Sequence, residues 1–294
     1  MIRMRKGLKV AIIGVAGTIC MCSAASAALL DLRSGGIGTI NGGIFGTVED
    51  FNDNNGTGSG NYDPFVRIQA LGTDSQEEGY NSNINGSSQS GFDEKPGTGT
   101  DRIQYSDLNI FDFGGVDYVG FSLDIAEGQG GASEVTLDML QLFTSQSINY
   151  EGNYVADPTF PTAGYNPFGT IAGTTKIWDM DDPSDPVSGA EPNNRVALDA
   201  GLVGSGNGKF DMVFYVMDSL FRDQADFDEY NYVVLYSNFG INVAADNSFE
   251  EWANLKSDFN GGVVIPLPAP FLLLLGGIGA LGIASRKRKD GVMV

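Results

Sequence analysis

Apolar and polar residues alternate most cleanly over residues 117–126, with Val119, Phe121, Leu123 and Ile125 on one side and Gly120, Ser122 and Asp124 on the other. A period of two over that length predicts a half-buried strand. The stretch from Glu134 to Ser145 sets Val135, Leu137 and Met139 on one face, and is expected to pair with the first as a hairpin across Glu127–Gly131. Lys209–Met217 and Tyr232–Phe239 are rich in β-branched and aromatic residues and read as strands. Pro64–Leu71, Thr174–Met180 and Arg195–Leu202 are shorter candidates, and Gly42-Gly43 marks the centre of a pair of short strands. Between them, Gly72–Thr100 and Asn149–Gly173 read as long loops, and Gly204–Gly208 as a tight turn. Helix is expected only briefly, at Asp218–Phe221 or Ser248–Ala253. This pattern predicts an all-β fold, an antiparallel β-sandwich of jelly-roll-like form with long Gly/Asn/Ser-rich loops. The length allows one large all-β domain or two small ones.

The two ends do not fit that pattern. Arg3, Arg5, Lys6 and Lys9 precede a mostly apolar run from Val10 to Met21, and Ala25-Ser26-Ala27 then offers a small-x-small cleavage site before Ala28. Residues 1–27 therefore read as a secretory signal peptide handled by the secretion translocon. Cys20 and Cys22 are preceded by Ile19 and Met21 instead of the small residues that lipid attachment favours. Cleavage after Ala27 removes both cysteines, and the chain has no histidine. The remaining domain then has no means of Ser-His-Asp or Cys-His catalysis, no disulfide framework and no zinc site of the common type. Carboxylates, Tyr, Lys or a hard metal held by oxygen are left to carry any chemistry.

At the other end, Val263 to Ser285 contains no charged side chain, and Arg286-Lys287-Arg288-Lys289 follows directly. The run is long enough for one C-terminal transmembrane helix, and the basic cluster favours a cytoplasmic C-terminus. Ile265-Pro266-Leu267-Pro268-Ala269 opens it. This order of motif, apolar run and basic stop resembles the PEP-CTERM type of sorting signal, in its Val-Pro-Leu-Pro-Ala variant, with Ile265 in place of the leading Val. The resemblance covers about the last tenth of the chain. It implies recognition by an exosortase-type membrane peptidase, an inner-membrane-anchored precursor, and delivery to the cell envelope or beyond. It implies no activity. The expected organisation is a signal at 1–27, an exported domain at 28–262, a sorting tail at 263–289 and a trailer at 290–294.

Charge sharpens the picture of the middle. Four of the 17 Lys and Arg lie in the signal and four in the tail, while of 37 Asp and Glu only Asp290 lies outside residues 28–262. That domain therefore carries 9 basic against 36 acidic residues, a balance near −27. Such a surface repels nucleic acid and favours cations. Asp179, Asp181, Asp182 and Asp185 crowd one loop and are candidate calcium ligands, since calcium takes six to eight oxygens. Asp223, Asp226, Asp228 and Glu229 form another acidic group, as do Asp246, Glu250 and Glu251. The run from Asp50 to Gly56 resembles the opening of an EF-hand loop, but its glycine falls one place late and Asn61 stands where Glu is required. Trp178 and Trp252 suit a core or a sugar-stacking surface, and the core is the expectation for residues on alternating strands.

The expected role is non-catalytic, that of an exported surface or matrix protein with a structural or adhesive function. One alternative is a calcium-stabilised carbohydrate-binding module acting on extracellular polysaccharide. A second is a glycoside hydrolase using paired carboxylates.

Overall fold

A computed structural model describes residues 28–47, 62–69, 74–81, 93, 95, 99–127, 133–147, 173–181, 194–202, 210–246 and 248–257. In chain order the strands are β1 (Leu29–Asp31), β2 (Ile37–Ile40), β3 (Gly43–Thr47), β4 (Pro64–Ile68), β5 (Glu77–Tyr80), β6 (Ile103–Gln104), β7 (Ile110–Asp112), β8 (Asp117–Ile125), β9 (Glu134–Ser145), β10 (Thr174–Asp179), β11 (Arg195–Asp199), β12 (Met212–Met217), β13 (Tyr232–Phe239) and β14 (Glu250–Asn254). Among the described residues the helical pieces are a 3₁₀ turn at Tyr105–Asp107 and one short helix, α1 (Ser219–Arg222).

The described residues are almost wholly β, and their strands form two sheets. The first runs β1-β11-β9-β13-β5, with β10 extending the β11 side of β9 and β6 extending the β5 side of β13. The second runs β2-β3-β12-β8-β14-β4, with β7 beside the start of β8. Among the described strands every pairing is antiparallel except β1 with β11. The hairpin of β2 and β3 turns on Asn41 and Gly42, whose φ values of 45° and 78° are both positive. Asn-Gly is the dipeptide that tolerates this geometry best.

The sheets face each other across one apolar core. Val119, Phe121, Leu123 and Ile125 of β8 meet Leu137, Leu140 and Leu142 of β9 and Val233 and Leu235 of β13. Phe214 of β12 lies 4.8 Å from Phe45 and 4.9 Å from Trp178, ring centre to ring centre, so an aromatic contact crosses between sheets. Trp252 of β14 also crosses, donating its indole N–H to Ser237 Oγ at 3.1 Å. Both tryptophans are core residues, as the alternation implies.

Four expectations need correction. The strands at 117–125 and 134–145 do not form a hairpin: β8 belongs to the second sheet and β9 to the first. Which sheet each strand joins is set by distant partners, an arrangement that local periodicity cannot reveal. Met139 does not share a face with Val135 and Leu137. The β9–β13 register slips at Asp138, and this bulge turns Met139 outward onto Tyr80 and Tyr236. The polar stretch 72–100 contains β5, which extends β13 by pairing at Tyr236–Phe239. Finally, residues 250–254 form a strand between β4 and β8, where brief helix was an option. Pairing on both sides overrides local propensity there.

Candidate functional site

Acidic residues 179 and 181 leave β10 at the edge of a shallow cleft of about 320 Å³, lined by Asn41, Lys176, Ile177, Trp178, Asp179 and Met217 among others. The cleft is assembled by the β2–β3 turn. Asn41 donates its side-chain amide to the Asp179 carbonyl at 2.7 Å, and Trp178 donates its indole N–H to the Asn41 carbonyl at 2.9 Å. A residue larger than glycine at 43 would crowd this seam, because a Cβ there would lie 2.7 Å from Trp178 Cζ2.

Asp179 is engaged on both oxygens. One accepts the Lys176 ammonium at 2.6 Å and the Gln141 amide at 3.0 Å, and the other accepts the Asp181 backbone N–H at 3.1 Å. Burial nevertheless raises its carboxyl above the usual range, with the Lys176 charge working in the opposite direction. Asp181 is fully buried and accepts the Asn194 N–H at 2.8 Å, while Asn194 returns its amide to the Met180 carbonyl at 2.9 Å. These two carboxyls therefore organise backbone around them. Asp182 and Asp185 lie outside the described residues. So do Ala25 and Ala27 of the cleavage site, the motif Ile265–Ala269, the stop Arg286–Lys289, and the loop and turn expected at 149–172 and 204–208.

Ala28 is described, and it is anchored. Its N–H donates to Asn194 Oδ1 at 2.8 Å, and its carbonyl accepts the Arg195 N–H at 2.9 Å. Asn194 and Arg195 thus link Asp181 to Ala28. Lys176, Asn41, Gln141 and Asn194 were not singled out by sequence, since each is a lone polar residue with no spacing to mark it.

Other charged groups make local pairs. Arg33 bridges Asp31 and Glu134 at 2.6 and 2.8 Å. Arg67 pairs with Glu251 and lies 4.4 Å from the Phe249 ring centre. Arg222 reaches Asp218 at 2.6 Å, and Asp218 accepts the Tyr105 hydroxyl at 2.5 Å. The acidic group at 223–229 lies on the exposed connector that follows α1. Among the described residues no group of three or more acidic side chains is placed so that it could hold a metal ion, and no helix is long and apolar enough to cross a membrane.

Trp178 is walled in by Phe45 and Phe214 and is 6% exposed. It offers no open ring face on which a sugar could stack. Comparison with known proteins adds no further constraint: no protein-family model, no curated protein and no solved structure matches this chain.

Proposed function

We propose that this chain is a non-catalytic, exported surface or matrix protein whose acidic β-domain serves a structural or adhesive role. In this reading the signal at 1–27 takes it through the translocon, and the tail at 263–289 presents it to an exosortase-type peptidase in the inner membrane. One observation carries the reading. Ala28, which cleavage after Ala27 would leave as the new N-terminus, is the residue that Asn194 and Arg195 clip onto the sandwich, and β1 follows at once. The residue that cleavage would expose is thus held against the first sheet.

A jelly-roll-like winding is the finer fold reading. It is supported by the way the chain alternates between sheets, with β8 in the second, β9 to β11 in the first, β12 in the second, β13 in the first and β14 in the second. Such crossing pairs distant segments, as in β3 with β12 and β4 with β14.

The test is cellular. A version ending at Gly262 and the full chain are expressed in a host with a matching peptidase, and the envelope-released protein is weighed intact. The full chain is expected to start at Ala28 and to lose its tail, while the truncated form is expected in a different compartment. Identical location and identical processing of the two forms would overturn the sorting reading.

A further inference from the structure

Strand β1 is short and peripheral, yet it ties the two sheets together. It ends the first sheet and pairs in parallel with β11 through Leu29–Asp31. Leu30 lies so close to β2 of the second sheet that a Cβ on Gly38 would stand 2.4 Å from Leu30 Cδ1. Leu32, directly after the strand, is buried in the shared core. Three residues at a sheet edge hold few bonds of their own, so the strand depends on what fixes its first neighbour.

That neighbour, Ala28, is fixed by a relay. Its N–H donates to Asn194 Oδ1 at 2.8 Å, and the Asn194 N–H donates in turn to Asp181 Oδ1 at 2.8 Å. The Asn194 amide is held on the Met180 carbonyl at 2.9 Å, which leaves Oδ1 aimed at Ala28. Asp181 is fully buried, and Asp179, which accepts its N–H at 3.1 Å, is buried beside it. Lys176 offsets the charge of Asp179, at 2.6 Å. A further positive charge on the Asp181 side of this relay would be favourable, because a carboxylate taken out of water gains from a counter-charge.

Hydrolysis of the Ala27–Ala28 bond supplies one. It leaves a carboxylate on Ala27 and an ammonium on Ala28, so a single neutral N–H donor becomes three donors that carry a full charge. Charge-assisted hydrogen bonds are roughly twice as strong as neutral ones. We propose that the α-ammonium created at Ala28 is a structural ligand of this domain: it binds Asn194 Oδ1 in the field of the Asp181 carboxylate, and processing thereby tightens the seam between β1 and β11. The inference rests on the cleavage position taken in the delivery reading above and adds a consequence to it. The unprocessed chain carries a looser first strand, and the cut that removes the leader also locks the sandwich.

The experiment keeps every residue from Ala28 to Val294, in mild detergent, and sets the first residue by cutting away a fused carrier in vitro. One form starts at Ala28, and a second starts at Ser26, which displaces the ammonium by two residues. A third is the Ala28 form with its α-amine acetylated, which restores an amide at that position. The free Ala28 form is expected to melt about 2–4 °C above the other two and to exchange its β1 amide hydrogens more slowly. Asp181→Asn keeps the shape and the acceptor for the Asn194 N–H, and should shrink that gap to about 1 °C or less. Equal midpoints for the three forms would overturn the proposal, as would an undiminished gap in Asp181→Asn. If that variant does not fold, the acetylated form decides alone, since it touches no side chain. The cut is made outside the cell, so a different natural first residue would refute the delivery reading and leave these midpoints as they are.

Discussion

The bulge at Asp138 gives the most direct test of how this sandwich is held together. Asp138 is fully buried, and its carboxylate accepts three hydrogen bonds: from Thr136 Oγ1 at 2.7 Å, from the Ile241 N–H at 2.7 Å and from the Asn242 amide at 2.6 Å. One side chain thus fixes both the slip in β9 and the loop that leaves β13. Asp138→Ala removes three charge-assisted bonds, each worth roughly 1.5–3 kcal/mol in favourable cases. The desolvation cost of burying the carboxylate disappears with it, and Thr136 keeps its bond from the Val243 N–H at 3.0 Å. The surviving loss is the stranded, half-buried Ile241 N–H, about 1–3 kcal/mol, plus the lost bond from Asn242, whose exposed amide turns to water, for a net destabilisation of about 2–4 kcal/mol. Asp138→Asn keeps the shape and two acceptor positions, so it should cost about half as much. Urea unfolding at neutral pH, followed by the fluorescence of Trp178 and Trp252, measures both variants. A loss below 1 kcal/mol for Asp138→Ala would refute the view that this carboxylate sets the register.

Phe214→Ala should cost about 3–5 kcal/mol, because the ring sits between Phe45 and Trp178 at the contact between sheets; calorimetric or urea unfolding would show it. Gly120→Val should destabilise by overpacking, since even a Cβ would lie 2.8–2.9 Å from Tyr215, Leu255 and Phe111; a midpoint equal to that of the wild type would contradict the packing described. For pH, burial and then the Asp246 charge hold Glu127 at about 8 in the folded protein against a usual 4.5, so the folded state keeps a proton that the unfolded chain has lost. The protein should therefore be most stable below pH 4.5 with respect to this group, and lose stability as pH rises toward 8, at no more than about 1.4 kcal/mol per unit. A pH-melting series would reveal that slope.

Much of the fold was legible because residues such as Val119, Phe121, Leu123 and Ile125 repeat every second position, and β8, β12 and β13 lie close to their expected bounds. Strand β5 was hidden because Glu77-Glu78-Gly79-Tyr80 carries no apolar alternation, yet Glu77 and Tyr80 are both buried. The outward faces were misjudged for a related reason. Ser122 and Asp124 look solvent-facing by type but are almost completely buried, so β8 is covered on both sides. Of the acidic groups seen in sequence, the one at 246–251 proved to have the informative geometry, because only pairing with β8 reveals that Glu250 points inward while Glu251 points outward to Arg67. Glu77 and Glu127, far apart in the chain, had no local signal at all.

The winding also dictates when this domain is able to assemble. Strand β1 waits for β11, β3 for β12, and β4 for β14, so the earliest residues to emerge from a ribosome or a membrane channel have their partners more than 160 positions behind them. Non-local closure of this kind is slow. A chain threaded N-terminus first stays pliable until nearly all of it has passed, and its last strand then locks the structure from the far side.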